Sequence, residues 1–251
     1  CGNEEDNIRR CLSSVTWADE IVVVDSFSQD RTMEIVREFT DNVYQQEWLG
    51  YIGQKNYIKK LATSPWILFI DADEEVSDEL RDEILEQFNT GANKEISGYE
   101  FPRLVKFLGK WIYHGDWYPD MKLRLFRKDR GACEGVEPHD RVHVDGDVRR
   151  LNGHLHHYTY NDIADMINTL NRFSSIASDV RFEGHQHPGW TDFLFRPFYR
   201  FIKCYFLKQG YRDGFIGMLI AVTAAYSTFI KYAKLREHEI NLNNKQMSHD
   251  R

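Results

Sequence analysis

Two short apolar runs, Ile21-Val22-Val23-Val24 and Trp66-Ile67-Leu68-Phe69-Ile70, each end in an aspartate and each follow a stretch with helical spacing. Ahead of the first, Ile8, Cys11, Leu12 and Val15 share one helical face between Asn7 and Val15. Between the two runs, Met33, Ile35, Val36 and Phe39 do the same from Thr32 to Phe39, and Tyr51 to Ala62 reads as a further helix that Ser64-Pro65 breaks. A helix near Ser77 to Phe88 follows. Helices alternating with buried strands are the pattern of an α/β fold, and over this part of the chain they predict a mostly parallel sheet.

Residues 98–160 have a different character, with aromatics, glycines and short alternating stretches such as Lys122 to Phe126 and Val142 to Val144, which predict antiparallel strands and loops. Residues 161–183 return to helical spacing, and Trp190 to Leu235 is aromatic, basic and helical in pattern. With 251 residues the chain has enough length for one α/β domain and an appendage. The expected division is a domain over 1–160, a helical region over 161–240 and a flexible tail over 241–251. The chain opens at Cys1-Gly2-Asn3-Glu4, which reads as the turn after a strand, so a first strand upstream is expected.

A formal net charge of −7 argues against a general nucleic-acid binder, which needs a basic excess to collect phosphates. The charge is uneven: residues 1–189 hold 22 Lys and Arg against 34 Asp and Glu, net −12, whereas 190–236 hold 8 against 2, net +6. Cys1, Cys11, Cys133 and Cys204 show no paired spacing and read as free thiols in a reducing compartment. No charged leader followed by an apolar segment stands at the front, so the expected location is cytoplasmic.

Asp71-Ala72-Asp73 carries the strongest chemical signal, because it stands at the carboxyl end of an apolar strand, where open α/β sheets bind ligands. Two carboxylates one residue apart can divide their work. One reaches a ribose, and the other reaches a divalent cation bridging two phosphates, for which Mg²⁺ or Mn²⁺ with oxygen ligands is the natural choice. Asp25, at the end of the other run, would lie beside Asp71 if the two strands are neighbours; it reads either as an acceptor for a base N–H or ribose hydroxyl, or as a turn residue before the next helix.

These residues sit in a longer pattern. Asn3-Glu4-Glu5-Asp6-Asn7-Ile8, Cys11-Leu12-Ser13-Ser14-Val15, the run from Val22 to Thr32, Gln54-Lys55-Asn56 and Ile67 to Asp73 together resemble the family 2 glycosyltransferases of GT-A fold. Gly115-Asp116-Trp117-Tyr118-Pro119-Asp120, Leu123 to Arg127, Glu137-Pro138-His139-Asp140 and His156 to Tyr160 resemble the branch containing the lipopolysaccharide-core β-glucosyltransferases, so the similarity covers nearly the whole chain. The resemblance implies a Rossmann-like mixed sheet flanked by helices with an appended helical C-terminal region. It also implies an inverting, metal-assisted transfer of a hexose, with glucose as the expected sugar, from a UDP-type nucleotide-diphosphate donor.

The resemblance places Asn3, Glu4, Asp25 and Lys55 in the donor pocket, Asp71 at the nucleoside and Asp73 on the metal. Lys55 also suits a phosphate as a point charge. A single displacement needs one carboxylate to take the acceptor's proton, and Asp140 is the candidate base, with Glu134 and Glu137 competing and pairing with Arg141 or His139 as the alternative role. In this branch Glu more often follows the His, so Asp140 is a departure. His157 reads either as a further metal ligand or as a hydrogen-bonded structural histidine. Arg124, Arg127 and Lys128 suit donor phosphates or an anionic acceptor, or simply a solvated strand face.

The charge-free stretch Phe215 to Ile230 has 16 residues, short of the roughly 20 that span a bilayer. Aromatics from Trp190 to Phe206 interleave with Arg196, Arg200, Lys203 and Lys208, the composition of an interfacial segment attracted to anionic lipid. The alternative is that these helices pack on the catalytic domain or form a homodimer interface. The expected partners are a nucleotide-sugar donor, a lipid-linked or core-oligosaccharide acceptor, and the inner face of the cytoplasmic membrane as a peripheral contact. A nucleotidyltransferase would place a Gly-rich basic loop after its first strand, whereas residues 1–8 are acidic. A non-catalytic glycan-binding protein of the same fold has no need to retain Asp71, Asp73 and a base together.

Overall fold

The computed structural model describes residues 1–136 and 139–249, and of Val136, His139, Asp140, Asn243 and residues 245–249 it describes the backbone alone. The chain divides into two compact units, Cys1–Leu104 with Asp120–Tyr158, and Val105–Pro119 with the chain from Thr159 onward.

The first unit begins with α1 (Ile8–Ser13), β1 (Val23–Asp25), α2 (Thr32–Val36), β2 (Val43–Gln45), α3 (Gly50–Leu61), β3 (Trp66–Leu68), β4 (Glu74–Val76) and α4 (Asp78–Asn89). Next come β5 (Gly98–Phe107), whose last residues belong to the second unit and pair there with β6 (Lys110–Trp111), and β7 (Asp120–Arg127). The unit closes with the hairpin β8 (Gly131–Val136) and β9 (His139–Val144), then β10 (Val148–Arg150) and β11 (Leu155–His157).

β1 and β2 pair in parallel, with Asp25 opposite Gln45. The main sheet has the order β3-β7-β5-β11-β4. β3 with β7, β7 with β5, and β4 with β11 are antiparallel, and β10 joins β5 in parallel. The expectation of a mostly parallel sheet is therefore corrected to a mixed one. β3 takes its partner from the strand-rich stretch after residue 98, where short connections return the chain antiparallel. β1 and β2 are joined by a crossover through α2, whereas β10 reaches its parallel place beside β5 through the intervening strands.

β1 and β3 lie in different sheets, and both line an apolar cavity of about 720 Å³ together with Leu12, Ile58 and Phe69. Cys1 runs beside β1: its ammonium donates to the Val24 carbonyl at 2.7 Å, and its own carbonyl accepts from Ser26 N–H at 2.9 Å.

α4 starts where the Ser77 hydroxyl accepts from Leu80 N–H at 3.2 Å, with Asp78 and Glu79 in the first turn complementing the helix dipole. Its inner face sets Leu80 and Ile84 against Tyr99 and Phe101 of β5 and Leu155 of β11, all fully buried. Each such side chain contributes about 1.5–3 kcal/mol by burial. At Gly153 the chain passes so close to α4 that a Cβ would lie 2.4 Å from the Leu80 backbone nitrogen. That contact fixes the approach to β11.

The second unit contains α5 (Ile163–Glu183), α6 (Trp190–Ile202) and α7 (Gly214–His249). Asp162 caps α5 by accepting from Asp165 N–H at 2.8 Å. Phe107, Ile112, Met166, Cys204, Ile216 and Ile220 form the core. The Lys234 ammonium staples α7 to α5, donating to the Asn171 carbonyl and to Ser174 and Ser175 hydroxyls at 2.8–2.9 Å. α7 runs well past the charge-free stretch seen in the sequence, because Lys231 and Lys234 continue the helix. Among the described residues, Gly210–Leu242 is long and apolar enough to cross a membrane by length and composition.

Candidate active site

Asp71 and Asp73 lie in the short link from β3 to β4, within the first unit. Glu74 N–H donates to the Asp71 carbonyl at 2.9 Å, and Asp71 N–H donates back to Glu74 Oε2 at 3.0 Å. The side chain of Asp71 lies between two cations, 3.1 Å from Lys55 Nζ and 2.7 Å from Arg124 Nη2. α3 supplies Lys55 because its two buried residues are the polar Gln54 and Lys55, so this helix turns a functional face inward. Burial pushes the Asp71 carboxyl up, but Arg124 and then Lys55 outweigh it, and the carboxyl is held well below the usual carboxylate range.

Two residues at this site carried no weight in the sequence reading. Glu74 is fully buried and lies 3.4 Å from Arg124 Nη2 and 3.3 Å from Arg103 Nη1, while Arg103 Nη2 reaches Asp120 at 2.8 Å. The result is an alternating string, Asp120, Arg103, Glu74, Arg124, Asp71, Lys55, in which each cation answers a carboxylate. The available signal was alternation along β4, which buries Glu74 with Val76. Arg124 is thus buried among carboxylates rather than on a solvated face. Arg127 instead donates to the Ile96 and Lys94 carbonyls, and Lys128 to that of Ala62, so both hold loops.

Asp73 makes a separate pair. Its Oδ2 lies 3.0 Å from Nε2 of His157, which the β4–β11 register sets opposite Glu74, and its carbonyl accepts from Tyr158 N–H at 2.9 Å. His157 is 9% exposed, and its Nδ1 is buried without a hydrogen-bond partner among the described residues. The nearby Glu4 carboxyl is raised by burial, against the lowering bond from Asn7, and Asp73 raises it further. Among the described residues no group of three or more His, Cys, Asp or Glu side chains converges as a metal site. Two protein ligands still fit a hard cation that takes its remaining oxygens from substrate phosphates and water.

The other expected donor residues gather at the end of β1. Asp25 is fully buried and accepts from Ser28 N–H at 3.0 Å and from its hydroxyl at 2.5 Å, so it organises its own turn. Asn3, with φ of 55°, clamps the same turn: its N–H donates to Ser28 Oγ and its Oδ1 accepts from Gln29 N–H, both at 2.8 Å. Glu4 N–H donates to Thr32 Oγ1 at 2.7 Å. The condition placed on Asp25, that its strand adjoin that of Asp71, is not met.

Asp140 lies on β9 with its backbone opposite Gly135; its side chain, and Glu137 altogether, fall outside the described residues. Glu134 is exposed on β8, opposite Arg141.

Comparison with known proteins bears on this geometry. The family model described as glycosyl transferase family 2 matches residues 1–143. An uncharacterised glycosyltransferase of Rickettsia typhi is 31% identical over 96% of this chain and 86% of its own length. The lipopolysaccharide core biosynthesis glycosyltransferase LpsC of Rhizobium meliloti is 29% identical over 94% of this chain and 89% of its own. Among solved structures, residues 1–349 of S. aureus TarS in complex with UDP-GlcNAc align over 96% of this chain and 89% of that one, with a TM-score of 0.46 and 13% identity.

Proposed function

The chain belongs to glycosyltransferase family 2 and has that family's GT-A fold, and we propose that it moves a hexose, glucose first among candidates, from a UDP-sugar to a cell-envelope glycan with inversion. The name of the Rhizobium relative supports lipopolysaccharide core as the acceptor class. Such an acceptor is membrane-borne, which supports action at the cytoplasmic face of the membrane.

One observation carries the reading: the two strand-end carboxylates have divided their work. Asp71 is engaged by Lys55 and Arg124, while Asp73, among the described residues, is paired with His157 at 3.0 Å. Asp73 and His157 would hold Mg²⁺ or Mn²⁺, whose contribution when bound is to neutralise charge on the departing diphosphate. Asp71 faces the nucleoside, and it holds the Lys55 ammonium in place for a donor phosphate. Asn3, Glu4 and Asp25 shape the turn on which the nucleotide rests. Asp140 takes the proton from the acceptor hydroxyl as that oxygen attacks the anomeric carbon.

The test is a screen of UDP-, GDP-, ADP- and dTDP-glucose with and without Mn²⁺, read by thermal shift and by release of the nucleoside diphosphate. Manganese-dependent response to UDP-glucose, followed by transfer to a core oligosaccharide, is the expected result. A response to none of the four, or one indifferent to Mn²⁺, overturns it.

A further inference from the structure

α6 has no buried residue, so its apolar side is not taken up by a core as that of a soluble helix usually is. Its solvent face carries Trp190, Leu194, Phe195 and Phe198, each 63–84% exposed. Its cations are partly exposed as well: Arg196 pairs with Asp192 one turn back on the same helix, and Arg200 reaches Asp116 at 2.9 Å, where Lys208 also sits at 3.2 Å.

At the edge of the aromatic face, α6 and α7 enclose a pocket of about 390 Å³ lined by Arg196, Arg200, Lys203 and Lys231, with the hydroxyl-bearing Thr191 and Thr228 beside them. Among the described residues neither Lys203 nor Lys231 has a carboxylate partner, so the cluster holds more positive charge than Asp192 and Asp116 answer. Burial, and then Arg181, Arg196 and Arg200, push the Lys231 ammonium down to about 8, as expected of a cation crowded by others. Phe195 and Tyr199 belong to both surfaces: they line the pocket and are 67% and 60% exposed.

We propose that this pocket holds the phosphate of an anionic lipid headgroup, with the outer face of α6 lying at the acyl boundary. The inference rests on the membrane-borne acceptor proposed above and gives that membrane contact a site. Continuity of cationic pocket and aromatic face is what a headgroup joined to an acyl chain requires, and a free phosphate has no use for the face. A second copy fits worse, because a two-fold contact would set a segment of net +6 against itself. α7 lies in the plane rather than across the bilayer: Lys234 ties it to α5, whose Arg172 and Asp179 are exposed and would have to enter hydrocarbon.

The experiment is flotation of the full chain with phosphatidylcholine vesicles, with and without phosphatidylglycerol, for wild type, Lys203→Ala/Lys231→Met and Trp190→Ser/Phe198→Ser, with circular dichroism as the check on folding. Wild type is expected to prefer the anionic vesicles, and each double variant to bind them at least about tenfold more weakly. Quenching by spin-labelled lipid, lost in Trp190→Phe, is expected to place that side chain at the acyl boundary. Equal binding to both vesicles with the pocket variant unchanged overturns the proposal. So does stabilisation by inorganic phosphate without flotation, which assigns the pocket to a soluble anion. A dimer that Trp190→Ser/Phe198→Ser dissociates, without flotation, assigns the face to a second copy, and carbonate-resistant insertion assigns α7 to a span. UDP-glucose turnover measured on the same samples keeps the two readings apart: a chain that floats but consumes no nucleotide sugar retains the pocket and loses the proposed reaction.

Discussion

Nε2 of His157 stands 3.0 Å from Oδ2 of Asp73, across an antiparallel pair in which β11 sets His157 opposite Glu74. Strand β11 thereby delivers a ring nitrogen to a carboxylate 84 residues away in sequence. The two atoms are spaced as adjacent ligands of one small cation would be.

Asp73→Ala is therefore expected to abolish manganese-dependent UDP binding while leaving the melting temperature nearly unchanged, since Asp73 is partly exposed and outside the ion string. His157→Ala should weaken the same binding by about tenfold or more. Calorimetry of UDP with and without Mn²⁺ decides it; equal heats for wild type and Asp73→Ala reject the assignment.

Asp140→Asn is expected to lower kcat by roughly 10²-fold or more with little change in donor affinity, the size of a lost general base. Glu134→Gln and Glu137→Gln serve as the controls. If either shows that pattern and Asp140→Asn does not, the base lies elsewhere.

Glu74→Gln keeps the shape of a fully buried side chain but removes the charge that Arg103 and Arg124 face. Because both arginines keep another carboxylate, the loss should sit near the lower end for a broken buried pair, about 3 kcal/mol. Urea unfolding measures it, and a change within about 0.5 kcal/mol would show that the string is not a stabilising unit.

The depressed Asp71 carboxyl gives a pH signature. Its folded value lies below the ordinary 3.8, so its contribution to stability is full above that value and is lost as pH falls through the folded one. Asp71→Asn should melt below wild type by a constant interval from neutral pH down to about pH 5, narrowing below about pH 4. A gap that persists unchanged into acid would mean that packing, not charge, accounts for it.

Lys231 behaves oppositely. Held down to about 8, it sheds its proton in the folded state before the unfolded chain does at its ordinary 10.5, so stability rises with pH across that interval. Lys231→Met should raise the melting temperature at pH 7, with the advantage shrinking toward pH 10. An advantage independent of pH would point to packing alone.

The sequence by itself determined the local structure of this chain and the family of its chemistry. Helical spacing located α1 to α4, the apolar runs located β1 and β3, and Asp71-Ala72-Asp73 at a strand end marked the site, because these signals lie within a few residues of one another. Tertiary structure alone decided the partners. The residues that face Asp71 are Lys55, 16 positions before it, and Arg124, 53 after it, and those that face Glu74 are Arg103 and Arg124. Sheet order was equally hidden: β3 pairs with β7 and not with β1, so Asp25 and Asp71 end different sheets despite their similar runs. On α6, composition showed aromatics mixed with cations, but only the packing of α6 and α7 gathered Arg196, Arg200 and Lys231 around one pocket and left the rings outside. Periodicity is written by neighbours in the chain, whereas a long-range ion pair or a strand register is selected by the packing of the whole unit, and no short window of sequence records it.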